Sequence, residues 1–202
     1  NGRVLGAKGV VLDEIKSVGV AFKQKRDPRV VGPALEAFHD WWDLFTASFP
    51  ECSLAAQTAF GRAISCGNWM FEEDSIYERM LWVMYEHPAE DLVDTPFLER
   101  ELLEGFEQEF ISGKEQQAVV INVAMTMNRR RFFVSKSGML GLAPWNAVEG
   151  DLLCVLLGCR FPVVLRRVEG GYILVGEVYV DGFMDGEALE EGRFEVETFE
   201  IH

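Results

Sequence analysis

Apolar side chains in the first part of the chain recur at three- and four-residue steps, the spacing that places them on one face of an α-helix. Phe38, Trp42 and Phe45 form the clearest stripe. We interpret such stripes as the core of a helical bundle in preference to a ligand cavity. About five helices are predicted, with starts near Pro33, Ser53 (a suitable N-cap), Glu73, Pro96 and Lys114. Residues 119–121 would also tolerate a strand.

Beyond residue 131 the hydrophobic period changes from helical to two, which indicates strands. Tight turns are predicted where glycine clusters interrupt the apolar runs, as at Ser137-Gly138 and Gly170-Gly171. Strands are predicted at 132–134, 139–142, 152–157, 161–168, 172–180 and 194–199, with a short helical stretch at 185–191. The segment 3–18 is rich in β-branched residues and favours a further strand.

These elements predict an α+β fold. We expect a helical subdomain of about five helices over residues 29–128, packed on a small SH3-like or Greek-key β-barrel over residues 129–202. Barrel closure is favoured because it removes the exposed edges of short strands. The N-terminal strand, within residues 1–20, can cross back and complete the barrel.

The net charge of −14 disfavours nucleic acid and anionic membranes as partners, because both bind positive surfaces. No apolar run approaches the roughly 18 residues that a membrane-spanning helix needs. Asn1 is not an initiator Met, and we expect the chain to be an excerpt of a longer protein. The single basic cluster, residues 129–131, fits a solvated helix end better than an anion site.

The four cysteines have no C-x-x-C spacing and no neighbouring histidine, so we expect no metal and no cofactor. Small buried thiols in a reducing compartment are the default, which favours a cytoplasmic location. No catalytic motif of a known class occurs, and we predict that the chain is not an enzyme. His39 and Asp40 are the best local acid–base candidates, but adjacent helical residues point to different sides.

Five sequence blocks in the β-rich half resemble the region that follows the HET domain in fungal heterokaryon incompatibility proteins. The blocks are RRFFVSKSGMLGLAP at 130–144, GDLLCVLLG at 150–158, PVVLR at 162–166, YILVGEVYV at 172–180 and GFMDGEA at 182–188. Two earlier stretches, 9–15 and 59–64, agree more loosely; in the second, Gly61 replaces the usual aromatic residue. We find no counterpart of the HET domain itself, which resembles Toll/interleukin-receptor signalling domains and is implied to trigger cell death.

The matched positions fit structural roles. Those expected to shape turns, bends and strand starts are Gly138, Gly141, Gly150, Asp151, Pro162, Gly176, Gly182, Asp185 and Gly186. Arg166 and Glu187 are predicted to form an ion pair across the barrel, in preference to a ligand contact. Asp181 and residues 185–187 lack the alternating oxygen ligands of a calcium loop.

The resemblance implies a non-catalytic regulatory or recognition module that binds a protein partner, such as a HET domain in cis or in trans, in non-self recognition and control of programmed cell death. Two alternatives stay open. One is a small-molecule or nucleotide receptor, with Arg129, Arg131, Arg166 and Glu187 as candidate binding residues in a groove between helices and barrel. The other is a stand-alone decoy or inhibitor of HET proteins.

Overall fold

The computed structural model describes residues 4–23, 32–67, 123–190 and 193–202. Two α-helices, α1 (Gly32–Ser48) and α2 (Leu54–Ser65), precede a helical turn at 123–127. The strands are β1 (Leu5–Val18), β2 (Arg130–Ser135), β3 (Leu140–Pro144), β4 (Leu152–Leu156), β5 (Val163–Val168), β6 (Gly171–Glu177), β7 (Tyr179–Val180) and β8 (Glu197–Ile201). A 3₁₀ turn lies at Glu187–Leu189.

The expected fold, about five helices packed on a small SH3-like barrel, is wrong. The described residues are mostly β-sheet: eight strands hydrogen-bond in the order β4-β5-β6-β8-β1-β2-β3-β7, and β4 also pairs with β1. Local periodicity shows where strands lie but not which strands pair, and pairing decides the architecture. The helices predicted near Glu73 and Pro96, and most of the one near Lys114, lie outside the described residues.

Strand β1 is the centre of the sheet. It pairs with β8 over residues 5–9, with β4 over residues 9–14 and with β2 over residues 15–18, all antiparallel. The register shifts twice, between Val11 and Asp13 and between Ile15 and Ser17. Such bulges bend a strand, and here they let one strand of 14 residues serve two groups of partners. The β4–β1 pairing closes β4, β5, β6, β8 and β1 into a five-stranded barrel.

Both faces of β4 are buried, because the barrel interior lies on one side and a second core lies on the other. The interior cluster consists of Leu152, Cys154, Leu156, Val163, Leu165, Phe199 and Ile201. The second cluster takes the alternate β4 residues Leu153 and Val155 and packs them against β1, β2, β3 and β7. This alternation places β4 between two apolar layers.

A third core joins the helices to β2 and β3. Phe132 and Phe133 are neighbours in sequence and point to opposite faces of β2, so Phe133 enters the second cluster and Phe132 meets the helices. The Phe132 ring lies 5.0 Å from the ring of Phe60 in α2 and 6.4 Å from that of Trp41 in α1, between centroids. The helices therefore pack on the sheet through aromatic rings.

The predicted N-cap of α2 is confirmed, because the Ser53 hydroxyl accepts a hydrogen bond from the Ala56 N–H. The helix ends at Ser65 and is followed by the C-cap residue Cys66, which has a left-handed conformation and donates its N–H back to the last turn. Within the described ranges, no helix has both the length and the apolar content to cross a membrane. Over the same ranges no three His, Cys, Asp or Glu side chains gather as metal ligands would.

Candidate functional site

A polar cavity of about 470 Å³ lies where α2 meets the turn that follows β7. Its wall combines cations and carboxylates from distant parts of the sequence, among them Arg62, Arg160, Asp181, Asp185 and Glu187. Arg62 is half-buried, and it lies on the face of α2 away from the buried Phe60 and Ile64. The cavity is thus a junction between the helical layer and the sheet.

A two-point ion pair forms the base of this junction. Arg62 Nε and NH2 each donate to one Asp181 carboxylate oxygen at 2.9 Å, and the Tyr179 hydroxyl donates to Oδ1 at 3.3 Å. The Asp181 side chain is 15% exposed and that of Arg62 38%. Paired donors that match both carboxylate oxygens fix orientation as well as distance. The pair therefore holds α2 against the end of β7.

Arg166 pairs with Asp151 rather than with Glu187. Its Nε and NH2 each lie 2.8 Å from one Asp151 oxygen, and NH2 also donates to the Asn146 carbonyl at 2.8 Å. The hydrogen bonds to Asp151 raise the pKa of Arg166. Asp151 further accepts from the Val148 N–H at 2.9 Å, so it holds the turn that precedes β4. The Glu187 carboxylate accepts from the Asp185 N–H at 2.9 Å.

Arg131 and Arg129 are two positions apart in the sequence and have different surroundings. Arg131 donates from Nε to the Gly19 carbonyl and from NH1 to the Ala147 carbonyl, both at 2.8 Å, and partial burial lowers its pKa. It ties the end of β1 to the turn after β3. Arg129 is exposed and has a positive φ of 58°. Of the four predicted binding residues, Glu187 lines the polar cavity, Arg129 lines a different cavity, and Arg131 and Arg166 are held by carbonyl and carboxylate partners.

The predicted structural glycines lie at turns or close contacts. Gly141 is the tightest, because a β-carbon there would overlap the Tyr179 carbonyl oxygen and the Phe133 ring. Pro162 precedes β5, and its carbonyl accepts a hydrogen bond from the Val178 N–H at 3.0 Å. Val178 is the residue between β6 and β7. The other predicted glycines all have positive φ: Gly138, Gly150, Gly176, Gly182 and Gly186.

This architecture defines a β-barrel module with helices packed on one sheet face. Residues 107–199 match the family model of the Het-6 β-barrel domain. The chain is also similar to heterokaryon incompatibility protein 6, OR allele, of Neurospora crassa, with 37% identity over 73 residues. That match covers 34% of this chain and 11% of the relative. No solved structure matches the chain.

The two comparisons support a fungal HET-related protein of the heterokaryon incompatibility type, in which residues 107–199 match a Het-6 β-barrel domain. The resemblance seen in the sequence is confirmed. The family domain begins at residue 107, so β1, α1 and α2 lie outside it. Both the barrel closure and the Arg62 contact come from this N-terminal part.

Sequence reasoning missed the Arg62–Asp181 pair. The two residues are 119 positions apart, and no periodicity connects them. A signal was present, because Arg62 occupies the arginine of the block at 59–64 and Asp181 lies between the blocks at 172–180 and 182–188. A charged residue inside one block of the family resemblance and an opposite charge between two others were candidates for an ion pair.

Replacing Asp181 with Ala is expected to lower the free energy of unfolding by about 2 kcal/mol, because Arg62 then loses a two-point, partly buried partner. Asp185→Ala is the matched control, since the exposed Asp185 side chain accepts no hydrogen bond among the described residues. We expect the control to change stability by less than about 0.5 kcal/mol. Urea unfolding of both variants checks this, and equal losses would show that the pair holds nothing together.

Proposed function

We propose that the chain is a non-catalytic recognition and regulatory module of a HET-type protein, which acts in non-self recognition and in control of programmed cell death. The observation that carries the proposal is that the main charged groups are used to join layers. Arg62–Asp181 joins helix to sheet, Arg166–Asp151 fixes the turn before β4, and Arg131 fixes the end of β1. Such contacts support a rigid surface for binding.

The states of the thiols also support a binding role. Burial raises the pKa of Cys154 to about 12, with the charge of Glu197 adding to the shift. Burial likewise raises the pKa of Cys66, which lines the polar cavity. Because the thiolate is the nucleophile, both side chains stay protonated and unreactive near neutral pH. Cys66 therefore does not act as a nucleophile in the polar cavity, whose charged side chains instead form a surface for binding.

The rim of the polar cavity has the chemistry of a protein contact. The Arg160 guanidinium lies 5.1 Å from the Phe161 ring centroid, and both residues are exposed. Arginine and aromatic side chains dominate the binding energy of protein interfaces. Leu189, which is 51% exposed, follows two residues after Glu187 of the same cavity. We infer that a protein partner, a HET domain in cis or in trans, contacts this rim.

A binding measurement with a purified HET domain tests this proposal. The full chain should bind it, and Arg160→Ala or Phe161→Ala should each weaken binding about tenfold or more, as loss of an interface anchor does. Arg167→Ala is the control, because Arg167 is an exposed arginine that contacts Glu14 of β1 and does not line the cavity. If the wild-type chain does not bind, or if all three variants bind alike, the proposal fails.

A further inference from the structure

A second cavity, of about 440 Å³, lies beside the junction of β2 with the segment after β1. Its wall consists of Ala21, Phe22, Lys23, Arg129 and Trp145. The backbone under it is fixed by hydrogen bonds: Phe22 N–H to the Arg130 carbonyl, Arg129 N–H to the Phe22 carbonyl, and Trp145 N–H to the Arg129 carbonyl, at 2.9–3.0 Å. The cavity is thus formed on ordered backbone and does not share a residue with the polar cavity.

The polar groups of this cavity are cationic. Phe22 is buried, and the alternation of exposure from Ala21 to Lys23 leaves the Lys23 side chain at the surface. Arg129 is also exposed. Within the part of the chain that the structure describes, no ion pair involves Lys23 or Arg129. Two such cations on one cavity wall are unusual in a chain of net charge −14.

The same cavity is also lined by the Trp145 indole, which is 59% exposed in the turn after β3. Buried packing does not account for its position, whereas Trp41 lies wholly inside the core. An exposed indole supplies a flat face on which an aromatic ring can stack. The cavity therefore presents an aromatic face and two positive charges together.

We propose that this cavity binds a nucleotide, whose base stacks on Trp145 and whose phosphates lie between Lys23 and Arg129. The volume lies in the range of about 300–1,000 Å³ that is usual for small-molecule sites. Arg131 and Arg166 take no part, because carbonyl and carboxylate partners already hold them. This inference is independent of the protein contact proposed at the polar cavity, because the two sites share no residue.

Calorimetric titration of the full chain with ADP, adenosine and inorganic phosphate tests the proposal. ADP should bind more tightly than either fragment, because stacking and charge pairing act together. Lys23→Ala, Arg129→Asn and Trp145→Ala should each weaken ADP binding about tenfold, and Trp145→Phe should retain most of it. Asn is chosen at position 129 because it tolerates positive φ, and circular dichroism confirms folding of each variant.

The control is Lys16→Ala, which removes an exposed cation from β1 that does not line the cavity and should leave ADP affinity unchanged. The proposal is overturned if ADP does not bind, if phosphate alone binds as tightly, or if the cavity variants behave like the control. A hexaglutamate peptide that binds more tightly than ADP and depends on Lys23 would also overturn it, because the cavity would then take an acidic protein segment.

Discussion

A chain that lacks residues 1–20 is expected not to fold, although it retains the whole Het-6 β-barrel domain at 107–199. Strand β1 pairs with β2, β4 and β8, so its loss opens the barrel and exposes three strand edges. Its side chains Val10, Leu12 and Ile15 are buried, and each contributes about 1.5–3 kcal/mol. The lost burial and strand pairing together are comparable with the whole stability of a domain, about 5–15 kcal/mol.

Near-ultraviolet circular dichroism and limited proteolysis of the truncated and full-length chains measure this directly. We expect the truncated chain to lose its fixed tertiary signal and to be digested quickly. A synthetic peptide of residues 4–23 added in trans should restore protection, because it supplies the missing strand. A truncated chain that keeps the native signal without the peptide would show that β1 is dispensable.

Phe132→Ala is expected to lower the free energy of unfolding by about 3–5 kcal/mol. The Phe132 ring is fully buried where β2 meets both helices, and it contacts Phe60 and Trp41. Its loss leaves a cavity between two layers that ordered backbone prevents from collapsing. The matched control is Phe161→Ala, at an exposed ring, which we expect to cost less than about 1 kcal/mol.

Urea unfolding followed by fluorescence gives both values. A loss near 4 kcal/mol for Phe132 and a small one for Phe161 would show that the aromatic layer joins helices and sheet. Equal losses would contradict that assignment. The same measurement establishes that Phe161→Ala is folded, which the binding experiment requires.

The sequence predicted the positions of strands and turns well, because these depend on neighbouring residues. Gly170 and Gly171 form the predicted hairpin, with Val168 opposite Gly171. The predicted strand at 172–180 is instead divided at Val178, whose N–H donates to the Pro162 carbonyl. Beyond this point the chain continues as β7, which pairs with β3 and no longer with β5. Alternation of apolar residues continues through that point, so nothing local marked the division.

Contacts between distant residues explain what the sequence could not predict. The ion-pair partner of Arg166 is Asp151, 15 residues away. The sequence alone could not distinguish it from Glu187, because both side chains are carboxylates. The three pairings of β1 depend on two bulges in a run that reads as one continuous strand. Trp145 and Lys23 form a cavity with Arg129 only because β1, β2 and β3 bring them together.

The central proposal is that this chain is a recognition module that inhibits a HET domain. Fungal cell viability tests it most directly. Cells that express a toxic HET domain should survive when they also express this chain, and the Arg167→Ala variant should protect equally. The Phe161→Ala variant should fail to protect although it is folded. If the HET domain is equally toxic with and without the wild-type chain, the account is contradicted.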